Sequence, residues 1–510
     1  MIPFGEWLPD APDYNNPGMT AADGIIPKSD RTYGPLGQLS NAVSAQIGGD
    51  AAERVCGAGS FRDDDGDTFT FAGRIGGLYQ LQSTAWTDVS TSGGYSTAID
   101  GFFRLTSFGN RVVATNFDDP VQSYVMGTST AFANLSGSAP KARHVAVIGD
   151  FLMLGNTFDS VDDARPNRVW WSAQNDPTSW PTPGTTAAAA AQSDYQDFPS
   201  GGWVQGITGA VGGADGVIFQ DRAIRRIVYT GPPTIFAFQE VDRSRGCIAP
   251  NSIVNVGDFA FYLAEDDFYA FNGQTSRALG AGKIAKHFFS KLDQDARHLI
   301  YGAADTINKI VFWTYPENGG AGDADRLIMF NWETGMWTEA SNDFSGGSIA
   351  AYMIFEDATQ GYTVDGPELG PLDIDDPANF GFPLDSRVWT GGKPVLSVIS
   401  SGNRLQRFSA TARKATLDTP EVGGPTRQYV SGIKPYVDVA TVSDVTVSLR
   451  TRDEPGASIA TGSAVATGGD TWTRFHADTR FVRARVQIAA GASWSNASGV
   501  DIDMKESGGL

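Results

Sequence analysis

Gly257–Ala264 reads GDFAFYLA: a Gly-Asp turn, then a short apolar run rich in aromatic residues, bounded by the acidic turn that follows. Such a run is too short for a helix and fits a strand buried on both faces. The same shape recurs at Gly66 (GDTFTFAG), Gly109 (GNRVVATN), Gly149 (GDFLMLGN), Ala214 (ADGVIFQD) and Asn308 (NKIVFWTY). In chain order the steps between these starts are 43, 40, 65, 43 and 51 residues. A period of about 40–45 residues is that of four-stranded propeller blades. Both long steps contain insertions. Arg165–Ser200 carries a Pro-rich stretch and the Ala187–Ala191 run, and Gly282–Leu299 places Ile284, Phe288 and Leu292 at helical spacing.

Each unit has a further strand, as in Arg168–Ala173 (RVWWSA), Ala223–Gly231 (AIRRIVYTG) and Asp267–Gly273 (DFYAFNG). A lone blade cannot cover both of its faces, whereas a closed ring of blades does. The expected fold is therefore all-β: a β-propeller over residues 55–355 with six blades, Ser348–Phe355 leaving a seventh open. Residues 1–54, with isolated Phe4, Trp7, Tyr14 and Tyr33 among Pro and Gly, read as an extended N-terminal arm. It either closes its own ring or anchors on a neighbouring subunit. Residues 356–393 read as an acidic linker or insertion, with eight carboxylates and no Lys or Arg in Glu356–Asp385. Residues 394–510 alternate apolar and polar positions, as in Phe481–Ala490, and read as a β-sandwich.

The 510 residues hold 38 Lys and Arg against 58 Asp and Glu, a net charge of −20. A surface so charged repels nucleic acid and anionic lipid, which excludes sequence-specific DNA binding. From Arg387 to Leu510 the balance reverses, 15 basic residues against 11 acidic, giving the chain an end-to-end polarity. Met1–Gly5 opens no secretory pattern and no segment approaches a membrane span, so synthesis in a cytoplasm and no membrane-spanning segment are expected. Cys56 and Cys247 are expected to be reduced and buried.

Chemistry is sparse. His144, His287, His298 and His476 stand in no metal-ligand spacing. The run Asp63–Asp67 (DDDGD) suggests calcium but lacks the EF-hand order, and a solvated hairpin turn accounts for it. Neither a nucleophilic-serine motif nor a phosphate loop is present. Asn331–Trp337 (NWETGMW) resembles one copy of the turn that sialidase propellers repeat, and is expected to be a tight turn with Trp332 and Trp337 packing between blades. No catalytic, cofactor-binding or metal residues are assigned, and no enzyme activity is expected.

Gly246–Phe289 (GCIAPNSIVNVGDFAFYLAEDDFYAFNGQTSRALGAGKIAKHFF) is similar to a part of the short-tailed phage (podovirus) tail hub or nozzle proteins, also called packaged-DNA stabilisation proteins. That part carries a G-x-x-A-P-x-S-I/V-V strand, a G-D-x-x-F-x-L hairpin and a following helix. The opening from Phe4 (FGEWLPD) to Gly18 and the end Trp494–Gly509 also resemble virion proteins of phage tail modules. The resemblance implies a homo-oligomeric ring, a hexamer, below the portal and adaptor. It implies tail adaptor and tail fibre or spike proteins as partners, genomic DNA passing through the lumen without sequence-specific binding, and no small-molecule substrate. Location in the virion tail and a role in retaining and then ejecting the genome follow from it. The alternative is a carbohydrate-active propeller, a sialidase-like enzyme or tail depolymerase with a sugar-binding sandwich. A third is a monomeric scaffold that binds peptides on its top face.

Overall fold

The structure, a computed structural model, describes residues 1–12, 16–320, 324–341, 351–358, 394–468 and 471–508. It is nearly all-β, with 51% strand and 6% helix.

The hairpin repeats become antiparallel four-stranded sheets. Blade 1 holds Val55–Arg62, Thr68–Arg74, Leu78–Gln82 and Ala85–Asp88, and blade 2 starts at Arg104–Phe108. Blades 3 to 6 start at Lys141–Ile148, Val204–Thr208, Val254–Asn255 and Tyr301–Asp305. The six blades expected from the hairpins are all present. The seventh, left open by the sequence, is present too: Ala351–Ala358, Pro394–Ser400 and Leu405–Arg407. Its fourth strand is Ser40–Asn41, from the arm, paired to Gln406 and Arg407. The first strand of blade 7 packs on the first strands of blades 6 and 1, which closes the ring.

Runs such as Phe151–Leu154 and Ala260–Leu263 are buried throughout, as strands between two neighbouring blades must be. The helical spacing after blade 5 gives the helix Ala285–Lys291, with Ile284, Phe288 and Leu292 turned into the core. Asp10 of the arm accepts the backbone N–H groups of Lys286 and His287, both at 2.8 Å, and so satisfies two of that helix's unpaired donors.

Two expected boundaries shift. Pro394–Arg407, read as the start of the sandwich, belong to blade 7. Glu356–Ala358 end that blade's first strand, and the rest of the acidic segment, 359–393, lies outside the described residues, as do Tyr14 and residues 348–350 of the expected seventh-blade strand. The C-terminal region is a sheet of long strands, Val422–Val439, Val445–Arg452, Thr473–Ile488 and Trp494–Gly508. The alternation read at Phe481–Ala490 is the second half of the long strand Thr473–Ile488. Val482, Ala484, Val486 and Ile488 alternate into its core.

The arm joins the parts. Asp23 pairs with Glu339 of blade 6 and Ala22 with Leu417, so blade 6 and the C-terminal strands form one hydrogen-bonded sheet. Ile2 and Pro3 pair with Val500 and Gly499, and Tyr33 with Ala497. Phe4, Trp7 and Tyr33 are buried within their own chain. Of the two readings of the arm, the closing strand is the one seen within the chain, at Ser40–Asn41, with Phe4, Trp7 and Tyr33 packed inside the fold.

Candidate functional site

The first strands of the blades surround a bore, and the loops leading into them gather at one end of it. Three of these strands bring a large polar residue to that end: Arg54 just before blade 1, Arg104 opening blade 2 and Tyr301 opening blade 6. Arg104 donates from Nη2 to the carbonyl of Pro250, 2.9 Å away, which lies just before blade 5. The guanidinium therefore spans the bore from blade 2 to blade 5 and obstructs it. Arg54 donates to the carbonyls of Ile99 (2.8 and 3.3 Å) and Gly101 (2.8 Å). Tyr301 donates its hydroxyl to the Cys56 carbonyl at 3.3 Å.

His144, in the first strand of blade 3, is 1% exposed and has the backbone of Val204 as its hydrogen-bond neighbour. Its ring lies 5.8 Å from that of Phe102, over which Arg104 also sits, with Cζ at 5.4 Å. Burial first, then the charges of Arg104 and Arg143, hold this imidazole well below its ordinary pKa and keep it neutral. Burial pushes the thiols of Cys56 and Cys247 up to about 11 and the Tyr301 hydroxyl up to about 12. Both thiols are free and buried, as the sequence suggests. Protonated thiols are poor nucleophiles, so the bore offers hydrogen-bond donors and not attacking groups.

Beside the bore, between blades 4 and 5, is a depression of about 550 Å³ lined by Gln205, Asp221, Arg222, Glu265 and Arg297. Asp221 accepts the N–H of Trp203 (2.7 Å) and the amide of Gln205 (2.6 Å). Gly202 permits this approach: at φ +83° a Cβ there would lie 2.4 Å from the Asp221 carboxylate. A second groove, about 490 Å³, runs between blades 5 and 6 past Phe259, Phe261, Phe330 and Trp332.

The remaining candidates are structural. The Asp63 carboxylate accepts the backbone N–H groups of Asp65 (3.1 Å) and Asp67 (2.8 Å) through Oδ1, an Asx turn that holds the hairpin. Among the described residues no three His, Cys, Asp or Glu side chains gather as a metal group. His287 bonds Glu339 at 3.0 Å with Trp7 edge-on against its ring, and His476 bonds the Tyr429 hydroxyl at 2.6 Å. Asn331 caps its turn through the N–H groups of Glu333 and Thr334, both 3.0 Å away. Trp337 packs on Phe330 and Trp313, and Trp332 on Phe261, as expected of a packing turn. Arg54, Arg104 and Tyr301 escaped the sequence reading. Aligning the blades on their first strands, not on their hairpins, places Arg104 and Tyr301 at the same opening position, with Arg54 just before its strand.

No protein-family model and no curated protein matches the chain. Among solved structures it is similar to the extracellular domain of a hybrid two-component system from B. thetaiotaomicron, at 10% identity and a TM-score of 0.41, over 84% of this chain and 47% of that one. It is also similar to the WD40 domain of Neurospora crassa Pan2, at 7% identity and a TM-score of 0.34, over 60% of this chain and 83% of that one. The chain thus spans less than half of the first of these. No helix among the described residues is long and apolar enough to cross a membrane.

Proposed function

We propose that the chain is a structural protein of a short-tailed phage tail. Six copies form a ring, a nozzle or hub whose central opening continues the DNA channel below the portal and adaptor. The ring retains the genome and then lets it out. It carries no catalysis, and it meets adaptor and fibre or spike proteins at its two ends.

The observation that carries this reading is the joining of propeller and C-terminal strands into one hydrogen-bonded body through Ala22 and Asp23. A body that transmits force needs such continuity, whereas a catalytic ring joined to a binding module does not. The resemblance of Gly246–Phe289 to tail hub proteins points the same way. Because Arg104 crosses the propeller's own bore, a duplex would run between copies and not through one. A net charge of −20 would repel the phosphate backbone there and let it slide.

Sedimentation of the purified full chain, with a parallel assay for sugars released from host polysaccharide, tests the proposal. Stable six-copy particles without sugar release are expected. A monomer that releases reducing sugar would establish the carbohydrate-active alternative, and a monomer without activity the peptide-binding scaffold.

A further inference from the structure

Away from the bore, the first turns of blades 3 and 4 meet the last hairpin of blade 4, the strands Ile224–Gly231 and Ile235–Asp242. They enclose a pocket of about 160 Å³ lined by Ile148, Asp150, Phe151, Asp215, Tyr229 and Phe236. Among the described residues no Lys, Arg or His lines it. Phe151 and Phe236 are buried and form its floor, while Tyr229 is 42% exposed and forms a wall. The ring centroids lie 5.1 Å (Phe151–Phe236), 5.8 Å (Phe151–Tyr229) and 5.7 Å (Tyr229–Phe236) apart, so the three rings make one aromatic corner. Asp150 and Asp215 occupy the turn of the hairpin repeat, and the neighbouring placement of blades 3 and 4 brings both turns to this one pocket.

The walls are held in place. Asp215 accepts the backbone N–H of Tyr229 at 2.7 Å, and the Tyr229 hydroxyl donates to Gln192 at 3.0 Å. Gln192 donates to Gln174, whose amide reaches Asp150 at 3.3 Å, so the insertion after the third strand of blade 3 braces one side. An exposed ring fixed at both ends has already lost the freedom that binding would cost. Each carboxylate takes its side-chain bond through Oδ2. Ring faces and carboxylates attract the same kind of guest, a cation. An anion is repelled, and a neutral apolar molecule gains nothing from the two charges. A hard metal ion needs six or more oxygen ligands, whereas this pocket offers two carboxylates and three rings. What fits is a cation whose charge is wrapped in methyl or methylene groups.

We propose that this pocket binds an organic ammonium group, with its carbon atoms against Phe151, Tyr229 and Phe236 and its charge toward Asp150 and Asp215. The group is the head of a small alkylammonium ligand or of a lysine side chain on a partner, two sources of one chemistry. The net charge of −20 favours the approach of either. The site does not depend on the chain being a tail protein.

The test is saturation-transfer NMR of the full chain, at constant ionic strength, with three probes: choline, Nα-acetyl-lysinamide and the neutral tert-butyl analogue of choline. Saturable binding of at least one ammonium probe is expected, about 5-fold or more tighter than that of the neutral analogue. Tyr229→Ala, and at least one of Asp150→Asn and Asp215→Asn, should weaken it about 5-fold or more. The tighter ammonium probe identifies the source, choline a free ligand and Nα-acetyl-lysinamide a partner's side chain. Equal binding of the neutral analogue would reduce the site to an apolar pocket and overturn the proposal. So would binding of neither ammonium probe, or wild-type affinity kept in Tyr229→Ala or in both Asp variants. If a variant fails to fold, the contrast between the ammonium probes and the neutral analogue on the wild-type chain decides.

Discussion

Asp357 is 1% exposed and sits where blade 7 meets blade 1. It accepts from Ser60 (2.6 Å) and Thr70 (3.2 Å) of blade 1 and from Ser397 (3.4 Å) of blade 7, and it pairs with Arg407 at 2.5 Å. Asp357→Ala removes the acceptor of three hydroxyls and the counter-charge of a partly exposed Arg407, and a loss of about 1–3 kcal/mol in denaturant unfolding is expected. An effect below about 1 kcal/mol would mean that this junction does not hold the ring. Burial raises Asp267 to about 6, against backbone N–H groups of Phe268 and Gly280 that pull it down. The sign follows. The folded carboxyl keeps its proton at a pH where the unfolded one has lost it, so its contribution is fully present below about pH 4 and is lost as pH rises through about 6. Comparing stability against pH for the wild-type chain and Asp267→Asn should show a difference in slope, of at most one proton, confined to that window. Cys56 and Cys247, buried with their thiols raised, should resist a thiol reagent in the native protein and react together on unfolding. Fast labelling of either one without denaturant would contradict their placement.

At the scale of elements, the hairpins were legible because a strand between two blades needs apolar side chains on both faces, and Gly257–Ala264 displays that demand locally. The helix was legible for a similar reason: Ile284, Phe288 and Leu292 mark one face. Ser40–Asn41 was not legible. Two polar residues carry no period, and what makes them a strand is the edge of Leu405–Arg407, more than 360 positions away. The division of 394–510 misplaced Pro394–Arg407 because a blade strand and a C-terminal strand alternate alike. The bore site was missed because Arg54 and Arg104 lie outside the hairpin repeat that revealed the fold. The closing role of the arm has a direct consequence. Deleting residues 1–41 removes the fourth strand of blade 7, the link at Ala22 and Asp23, and the buried Phe4, Trp7 and Tyr33. The truncated chain should lose cooperative unfolding or aggregate, because exposed strand edges pair with other chains. A truncated chain that melts like the full one would show that the arm only lies on the surface.

At the scale of the molecule, the closed ring and the joined C-terminal sheet form one body in which the ring is acidic and residues 408–510 are balanced, 11 basic against 11 acidic. Head-to-tail contact of such bodies gives a closed ring when the rotation between copies divides a full turn. The ring of copies, and not the bore of any single propeller, is the conduit on this account. Its acidic lining is what would let DNA slide. Electron cryo-microscopy of the assembled full chain measures both features at once. A six-fold ring is expected, lined mainly by Asp and Glu, whose opening admits a whole duplex and therefore well exceeds the ≈ 12 Å of its major groove alone. Isolated single copies, or an opening lined by Lys and Arg, would contradict it.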